Sequence, residues 1–366
     1  MKRKKVLIVN NRLGYYGAEN VLTNMVNHMD TKKYDITVMT LVKSNENFLS
    51  TNVKYKYIFS DKSNTITKIG NKIKLYLGYK YLSKIYCKGY DIAIAFKMGE
   101  CAKIVGYSDA CSKYCWIHSN VSEIEERYSY SFQSLNEEKK FLERFDMLIA
   151  VSKNCEESFK MKYGNTFKMR VIYNPIDIEK INNMANEEIP ESEKYLFYDE
   201  TPVIGTVARI DSQKGIDRLI YIAEKLKDKK VKYRMVIIGD GIDYKKYLKL
   251  VNEKKLPVYM LGFRSNPYMY VKKFKLFICS SIWESYSLVV NEALALNIPV
   301  ISTKCGGPEE VLEYGEYGTL TDNNQESLYN AVEDFFEKNV TNKFPVYKKD
   351  SMKKFLMQID KLLEEN

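Results

Sequence analysis

The feature that most constrains this chain is a repeated alternation of short, wholly apolar runs with longer stretches of helical periodicity. Residues 5–10, 35–41, 91–96, 114–118 and 147–151 have the length and composition of buried strands, and helical patterns occupy 18–29 and 136–145. A second series follows, with strand runs at 203–207, 234–238, 258–261, 276–279, 299–302 and 318–320 and helical patterns at 216–226, 243–254 and 288–295. Runs that are apolar throughout suit parallel strands covered on both faces. Strands and helices in alternation predict an α/β fold, and two such series predict two doubly wound, Rossmann-like domains. The chain's 366 residues suit that number of domains.

The seam is expected at Asn174-Pro175-Ile176-Asp177, where proline ends a strand and sets a rigid turn. This gives residues 1–178 as a first domain, 179–345 as a second and 346–366 as a terminal segment. Residues 182–200 are acidic and weakly periodic, and read as a surface excursion. Apolar residues at 352, 355, 356, 359, 362 and 363 fall at helical spacing, so the end of the chain is expected to be an amphipathic helix packing back on the N-terminal domain. Ligands of open parallel sheets meet the carboxyl ends of the strands. Two such domains facing across a cleft would place a site there.

Charge is unevenly spread. Residues 1–178 carry 29 Lys and Arg against 18 Asp and Glu, a net +11, whereas the remainder carries −1. An anionic partner for the first half accounts for this, and so does a solvated, lysine-rich surface. No nucleic-acid-binding module is recognisable. The basic start, Met1-Lys2-Arg3-Lys4-Lys5, precedes an apolar run far too short for a signal peptide. No run approaches the ~20 apolar residues of a membrane span. The expectation is a cytoplasmic protein, or one peripheral at the inner face of the cell membrane. Seven cysteines without a regular framework suit reduced thiols. Cys111, Cys115 and His118 lack the tight paired spacing of a zinc site and read as small core residues near a strand. No metal and no cofactor is expected.

The chemistry concentrates in the second half. Arg209 follows the 203–207 run, and Lys214-Gly215 lies just before a helical pattern. A strand, a basic loop and a helix N-terminus together favour an anion, because free N–H groups and two full charges converge. Glu284 falls in the loop after the 276–279 run, and Glu292 lies within the helix that follows. Carboxylates so placed can accept hydrogen bonds from sugar and ribose hydroxyls, which are costly to bury unpaired. The N–H groups near Ser287 and Leu288, at that helix start, can meet phosphate. Gly239-Asp240-Gly241 and Gly306-Gly307-Pro308-Glu309-Glu310 mark further strand tips.

Taken in order, these motifs resemble the retaining family-4 glycosyltransferases of the GT-B fold. The resemblance covers essentially the whole chain and is strongest over 203–320. It implies that Arg209 and Lys214 hold the donor diphosphate, that Glu284 binds donor-sugar hydroxyls and that Glu292 binds the ribose. It sets Gly262, Phe263 and Arg264 beside the nucleobase, and Ser287 and Leu288 at the phosphate. In the first half, the stretch from Gly14 to Glu19 resembles the family's glycine-rich loop, with Gly17 at the donor. His118, in Trp116-Ile117-His118, resembles its strand-end histidine near the reacting sugar. Two departures stand out. Tyr16-Gly17 replaces a glycine pair, which narrows the space there, and Glu284-Ser285-Tyr286 replaces Glu-Gly-Phe. The implied reaction moves a sugar from a nucleotide-sugar donor, by family base rate a UDP-sugar, to a glycan or lipid-diphosphate-linked acceptor in bacterial surface polysaccharide synthesis. No metal is needed, since protein cations can stabilise the leaving phosphate.

Two other classes share this architecture. A sugar-nucleotide epimerase would need several acid–base groups around the sugar, and the chain has two histidines. A binding-only relative would have no need of both carboxylates. Residues 62–90 present a separate question. They contain no acid and seven lysines. Ile66, Ile69, Ile73, Tyr76 and Leu77 recur at helical spacing. Such a helix either lies on an anionic membrane surface or packs its apolar face on the N-terminal sheet.

Overall fold

The computed structural model describes residues 2–15, 17–60, 65–121, 132–338, 347 and 351–365. Tyr16, Lys62, the side chain of Ile66 and the expected 345/346 boundary lie outside these. The chain divides into two units, Met1–Pro175 with Lys353–Asn366, and Ile176–Met352.

In the first unit, β1 (Lys4–Asn10), β2 (Tyr34–Val42), β3 (Lys54–Phe59), β4 (Ile92–Ala95), β5 (Ser112–Ile117), β6 (Met147–Ala150) and β7 (Met169–Val171) form one sheet. All pairs are parallel, in the order β3-β2-β1-β4-β5-β6-β7. Val6, Leu7, Ile8 and Val9 of β1 are fully buried, as a central strand covered on both faces requires. Strand order reverses between β1 and β4, so their carboxyl ends flank a switch point, the place where such sheets bind ligands.

Two strands escape the apolar-run criterion. β3 reads Lys-Tyr-Lys-Tyr-Ile-Phe and buries only Ile58 fully, which suits an edge strand. β7 has three half-buried residues. His118 was expected inside a strand, but β5 ends at Ile117. Cys111, expected in the core, is exposed. Cys115 packs with Ile117 in one core cluster, whereas Trp116 stacks on Phe96, which also meets His118. Strand alternation therefore sends Cys115 and the histidine to opposite faces.

The terminal helix Met352–Glu364 belongs, from Lys353 on, to the first unit. Phe355, Ile359, Leu362 and Leu363 are buried. Tyr114 Oη donates to the Leu362 carbonyl at 3.0 Å and Lys4 Nζ to that of Leu363 at 2.7 Å. These donors satisfy end carbonyls that have no partner within the helix. Asp360 accepts from Tyr34 Oη at 2.7 Å and from Lys33 Nζ at 2.5 Å.

In the second unit, β8 (Val203–Val207), β9 (Arg234–Ile238), β10 (Val258–Gly262), β11 (Leu276–Cys279), β12 (Val300–Thr303) and β13 (Thr319–Thr321) are ordered β10-β9-β8-β11-β12-β13. These ranges lie within one residue of those read from apolar runs. The switch point falls between β8 and β11. Residues 182–200 are mostly exposed, as read, yet they hold the end of a helix, Ile178–Ala185, and a 3-10 turn, Glu191–Phe197, and they bury Leu196 completely and Ile189, ahead of that turn, nearly so. Their charged residues hid a core contribution because the apolar positions are few and widely spaced.

Candidate functional site

The loop after β8 runs through a 3-10 turn, Ser212–Lys214, into the helix Ile216–Asp228. Gly215 joins them in the left-handed region, at φ 59° and ψ 41°, and a Cβ there would stand 2.2 Å from the Ser280 carbonyl oxygen. Glycine thus meets two needs at one position: the backbone angle and the close approach of this loop to the tip of β11. Ser280 Oγ donates to the Lys214 carbonyl at 2.8 Å and Ile282 N to that of Gln213 at 2.8 Å.

This seam sets the charged groups. Lys214 Nζ donates to Glu284 Oε1 at 2.5 Å, and Ser281 Oγ donates to the same oxygen at 2.7 Å. Both side chains are largely buried. Glu284 is held by its backbone too: its N–H donates to Cys305 O at 2.7 Å, and its carbonyl accepts from Gly307 N at 2.9 Å. Arg209 pairs with Asp211 and donates from Nη2 to Gln213 Oε1 at 2.9 Å. Gln213 Nε2 donates in turn to Trp283 O at 3.0 Å. Arg209, Lys214 and Glu284 therefore form one linked cluster at the β8/β11 switch point, with Arg209 its more exposed cation.

Beside them, Ser287 adopts φ 67° and ψ 77° just ahead of the helix Leu288–Ala295. Its Oγ is shielded from solvent and has no hydrogen-bond partner among the described residues. Glu292 lies in that helix, and its Oε1 accepts from Tyr268 Oη at 3.1 Å. Burial pushes the Glu292 carboxyl up from its ordinary 4.5 to about 7, with the Tyr268 hydrogen bond opposing. The folded state then holds more protons than the unfolded chain between those values, so this group's contribution to stability falls as pH rises through that window. Glu292→Gln is expected to gain melting temperature relative to the parent between pH 5 and pH 8 for about this reason. An offset that does not change with pH would show that this carboxyl is not held protonated.

Gly262 ends β10, and the Phe263 that follows is half exposed. Arg264 pairs with Glu193 and donates from Nη1 to Phe263 O at 3.0 Å. The charge of Arg264 is therefore engaged within its own unit. Glu309 Oε2 accepts from Cys305 N at 3.0 Å and Gly306 N at 2.8 Å, fixing the loop that holds Glu284.

In the first unit, Gly17 is the first residue of the helix Gly17–His28, one residue ahead of the helical pattern read at 18–29, and Glu19 lies in its first turn. Glu19 is buried and its Oε1 accepts from Lys97 Nζ at 2.9 Å. Lys97 lies just past β4 and Glu19 past β1, so this pair marks the first unit's switch point. His118 packs against Phe96, with ring centroids 4.7 Å apart. Burial, with the Lys97 charge adding, holds its imidazole down to about 3, so it is neutral at physiological pH. Its Nε2 is shielded, without a partner among the described residues.

Sequence reasoning did not assign roles to Lys97, Gln213, Ser281, Tyr268 and Glu193. Lys97 follows an apolar strand directly, which is a usable signal once strand order is known. The others lie in polar loops or short helices, where spacing carries no information about long-range partners.

Two doubly wound parallel sheets of seven and six strands define the GT-B fold. Over its full length the chain is similar to the crystal structure of Anabaena HepE in complex with UDP and glucose, with a TM-score of 0.76, 17% identity and 100% of each chain covered. Sucrose-phosphate synthase from Thermosynechococcus elongatus superposes with a TM-score of 0.77 at 16% identity, covering 99% of each chain. Residues 187–354 match the family model "Glycosyl transferases group 1". Among curated proteins, the chain is 31% identical to an uncharacterized glycosyltransferase of Methanocaldococcus jannaschii over 60% of this chain and 58% of that one. It is 29% identical to the N-acetylgalactosamine-N,N'-diacetylbacillosaminyl-diphospho-undecaprenol 4-alpha-N-acetylgalactosaminyltransferase of Campylobacter jejuni, over 52% of this chain and 51% of that one. The chain spans about half the length of these relatives.

Proposed function

We propose that the chain is a retaining, metal-independent glycosyltransferase of the family-4 type. It moves a sugar from a nucleotide-sugar, of the UDP class, to a hydroxyl of a glycan or lipid-diphosphate-linked acceptor in surface polysaccharide synthesis. The observation that carries this reading is the Lys214–Glu284 pair at the β8/β11 switch point, with Arg209 linked to it through Gln213. The name of the Campylobacter relative, with its diphospho-undecaprenol acceptor, supports the acceptor class.

In this account the donor diphosphate meets Lys214, Arg209 and the backbone N–H groups at Ser287 and Leu288. Oε1 of Glu284 is occupied by Lys214 and Ser281, which fixes the carboxylate and directs Oε2 to the sugar hydroxyls. Glu292 takes the ribose hydroxyls, and Phe263 offers a face to the base. The acceptor oxygen bonds to the anomeric carbon on the face from which the phosphate leaves. The C–O bond to the β-phosphate breaks, and the departing phosphate oxygen takes the acceptor proton. Fixed cations stabilise the charge that develops, which is worth several kcal/mol in a preorganised site (about 3–4 for one donor).

Turnover is therefore expected to persist in excess chelator. Activity lost in EDTA and restored by magnesium or manganese would contradict the role given to Arg209 and Lys214.

A further inference from the structure

We propose that the outward face of the helix Thr65–Tyr86 docks the protein on an anionic lipid bilayer. The proposal concerns the first unit and is independent of the donor chemistry assigned to the second.

This helix is inverted relative to an ordinary amphipathic helix. Its buried side is polar at two anchoring points. Asn71 donates from Nδ2 to Ser60 O at 2.9 Å and accepts from Ser60 N at 3.1 Å, and Lys74 Nζ donates to Ile58 O at 2.5 Å. These bonds tie the helix to the end of β3 by polar groups. Before Gly78, Ile69, Ile73 and Tyr76 project from the opposite side, Ile69 and Ile73 more than half exposed and Tyr76 92% exposed, while Leu75, one turn on from Asn71, is also more than half exposed. The stripe is therefore not used to pack on the sheet. At Gly78 the backbone leaves the helical region, at φ 76° and ψ 163°. A Cβ there would meet no atom within 4 Å, so the angle rather than crowding calls for glycine. Past this kink, Leu82 and Ser83 turn inward, while Tyr81 and Ile85 stay outside.

Charge identifies the occupant. Lys68, Lys72, Lys80 and Lys84 are exposed along the same helix, and no acid lies between Asp61 and Asp91. A second copy laid along this face would set lysines against lysines. A bilayer with anionic headgroups meets both properties together: the apolar side chains enter the acyl boundary, tyrosines sit at the interface and lysines reach phosphates. Among the described residues, no helix is long and apolar enough to cross a membrane. A helix of this kind lies in the interface plane.

The test is co-sedimentation of the full chain with vesicles of phosphatidylcholine alone, or of phosphatidylcholine with phosphatidylglycerol. Binding is expected only to the second, with release at high salt, since the attraction decays within ~10 Å or less as ionic strength rises. Ile73→Ser with Tyr76→Ser is expected to weaken partition at least ~10-fold by removing inserted apolar surface. Lys68, Lys72, Lys80 and Lys84 changed together to Gln should weaken it about 600-fold, from roughly 5-fold per lysine. All six side chains are exposed, so melting temperature and nucleotide binding should stay at the parent's values. The proposal fails if the parent ignores anionic vesicles at low salt or if the Ser variant binds them as the parent does. It also fails if the apolar variant abolishes a dimer seen by light scattering while the parent shows no vesicle binding. That result would assign the face to a second copy.

Discussion

Lys214→Ala is expected to lower turnover about 10²- to 10³-fold, the effect of removing one fixed donor from a developing negative charge. The cation is held by its own pairing with Glu284 at 2.5 Å and by a loop locked to the tip of β11, so it needs no reorganisation when phosphate leaves. Removing it also leaves Glu284 buried with Ser281 as its remaining side-chain donor. An unsatisfied buried group costs about 1–3 kcal/mol, so the variant should melt earlier. Kinetics run well below its melting temperature separate the two effects. Arg209→Ala should cost about 10²-fold in turnover with melting unchanged, because Arg209 is half exposed. Parent-level turnover in a folded Lys214→Ala protein would remove the residue from the site.

The second large effect concerns the carboxylates. Glu284→Ala should reduce turnover about 10²-fold or more while leaving the free nucleoside diphosphate bound as tightly as before, or more tightly. Under the proposed function the carboxylate accepts sugar hydroxyls as well as pairing with Lys214, so its removal would free that cation for phosphate. Each charge-assisted hydrogen bond lost to the sugar is worth about 1.5–3 kcal/mol. Glu292→Ala should behave in the opposite manner, weakening nucleotide and nucleotide-sugar alike, if Glu292 takes the ribose as proposed. Calorimetric titration of both variants with UDP and with UDP-sugar reads the difference. An identical defect for both ligands in both variants would mean the two carboxylates do not divide the donor between them.

Much of the fold could be read from the chain because central parallel strands are apolar on both faces and leave unbroken runs. Val6 to Val9 and Met235 to Ile238 are examples, and their limits in the structure match. The edge strand β3, with lysines alternating with tyrosines, leaves no such mark and was invisible for that reason. Periodicity also gave the helix at Thr65–Tyr86 but not its orientation. Amphipathicity fixes which residues share a face, not which way the face points, and two polar anchors to Ser60 and Ile58 decided it. At the candidate site, residue types in the loops and helix that follow strands marked Arg209, Lys214, Glu284 and Glu292. Their partners were not legible. The Glu19–Lys97 pair joins positions 78 apart, and Arg264 meets Glu193 across 71. Only the strand order brings such residues to one end of a sheet.

Transfer of a sugar from a nucleotide donor is measured most directly by product analysis across a donor panel. Purified protein is incubated with each nucleotide-sugar, with and without a lipid-diphosphate-linked glycan acceptor, and nucleotides and glycans are resolved by chromatography and mass spectrometry. The account predicts that one donor yields free nucleoside diphosphate only when acceptor is present. The acceptor gains one hexose-type residue whose anomeric configuration matches that of the donor, and Lys214→Ala abolishes both signals. Interconversion of two nucleotide-sugars without acceptor, or a product of inverted configuration, would contradict it, as would failure of every nucleoside diphosphate to stabilise the protein in thermal unfolding.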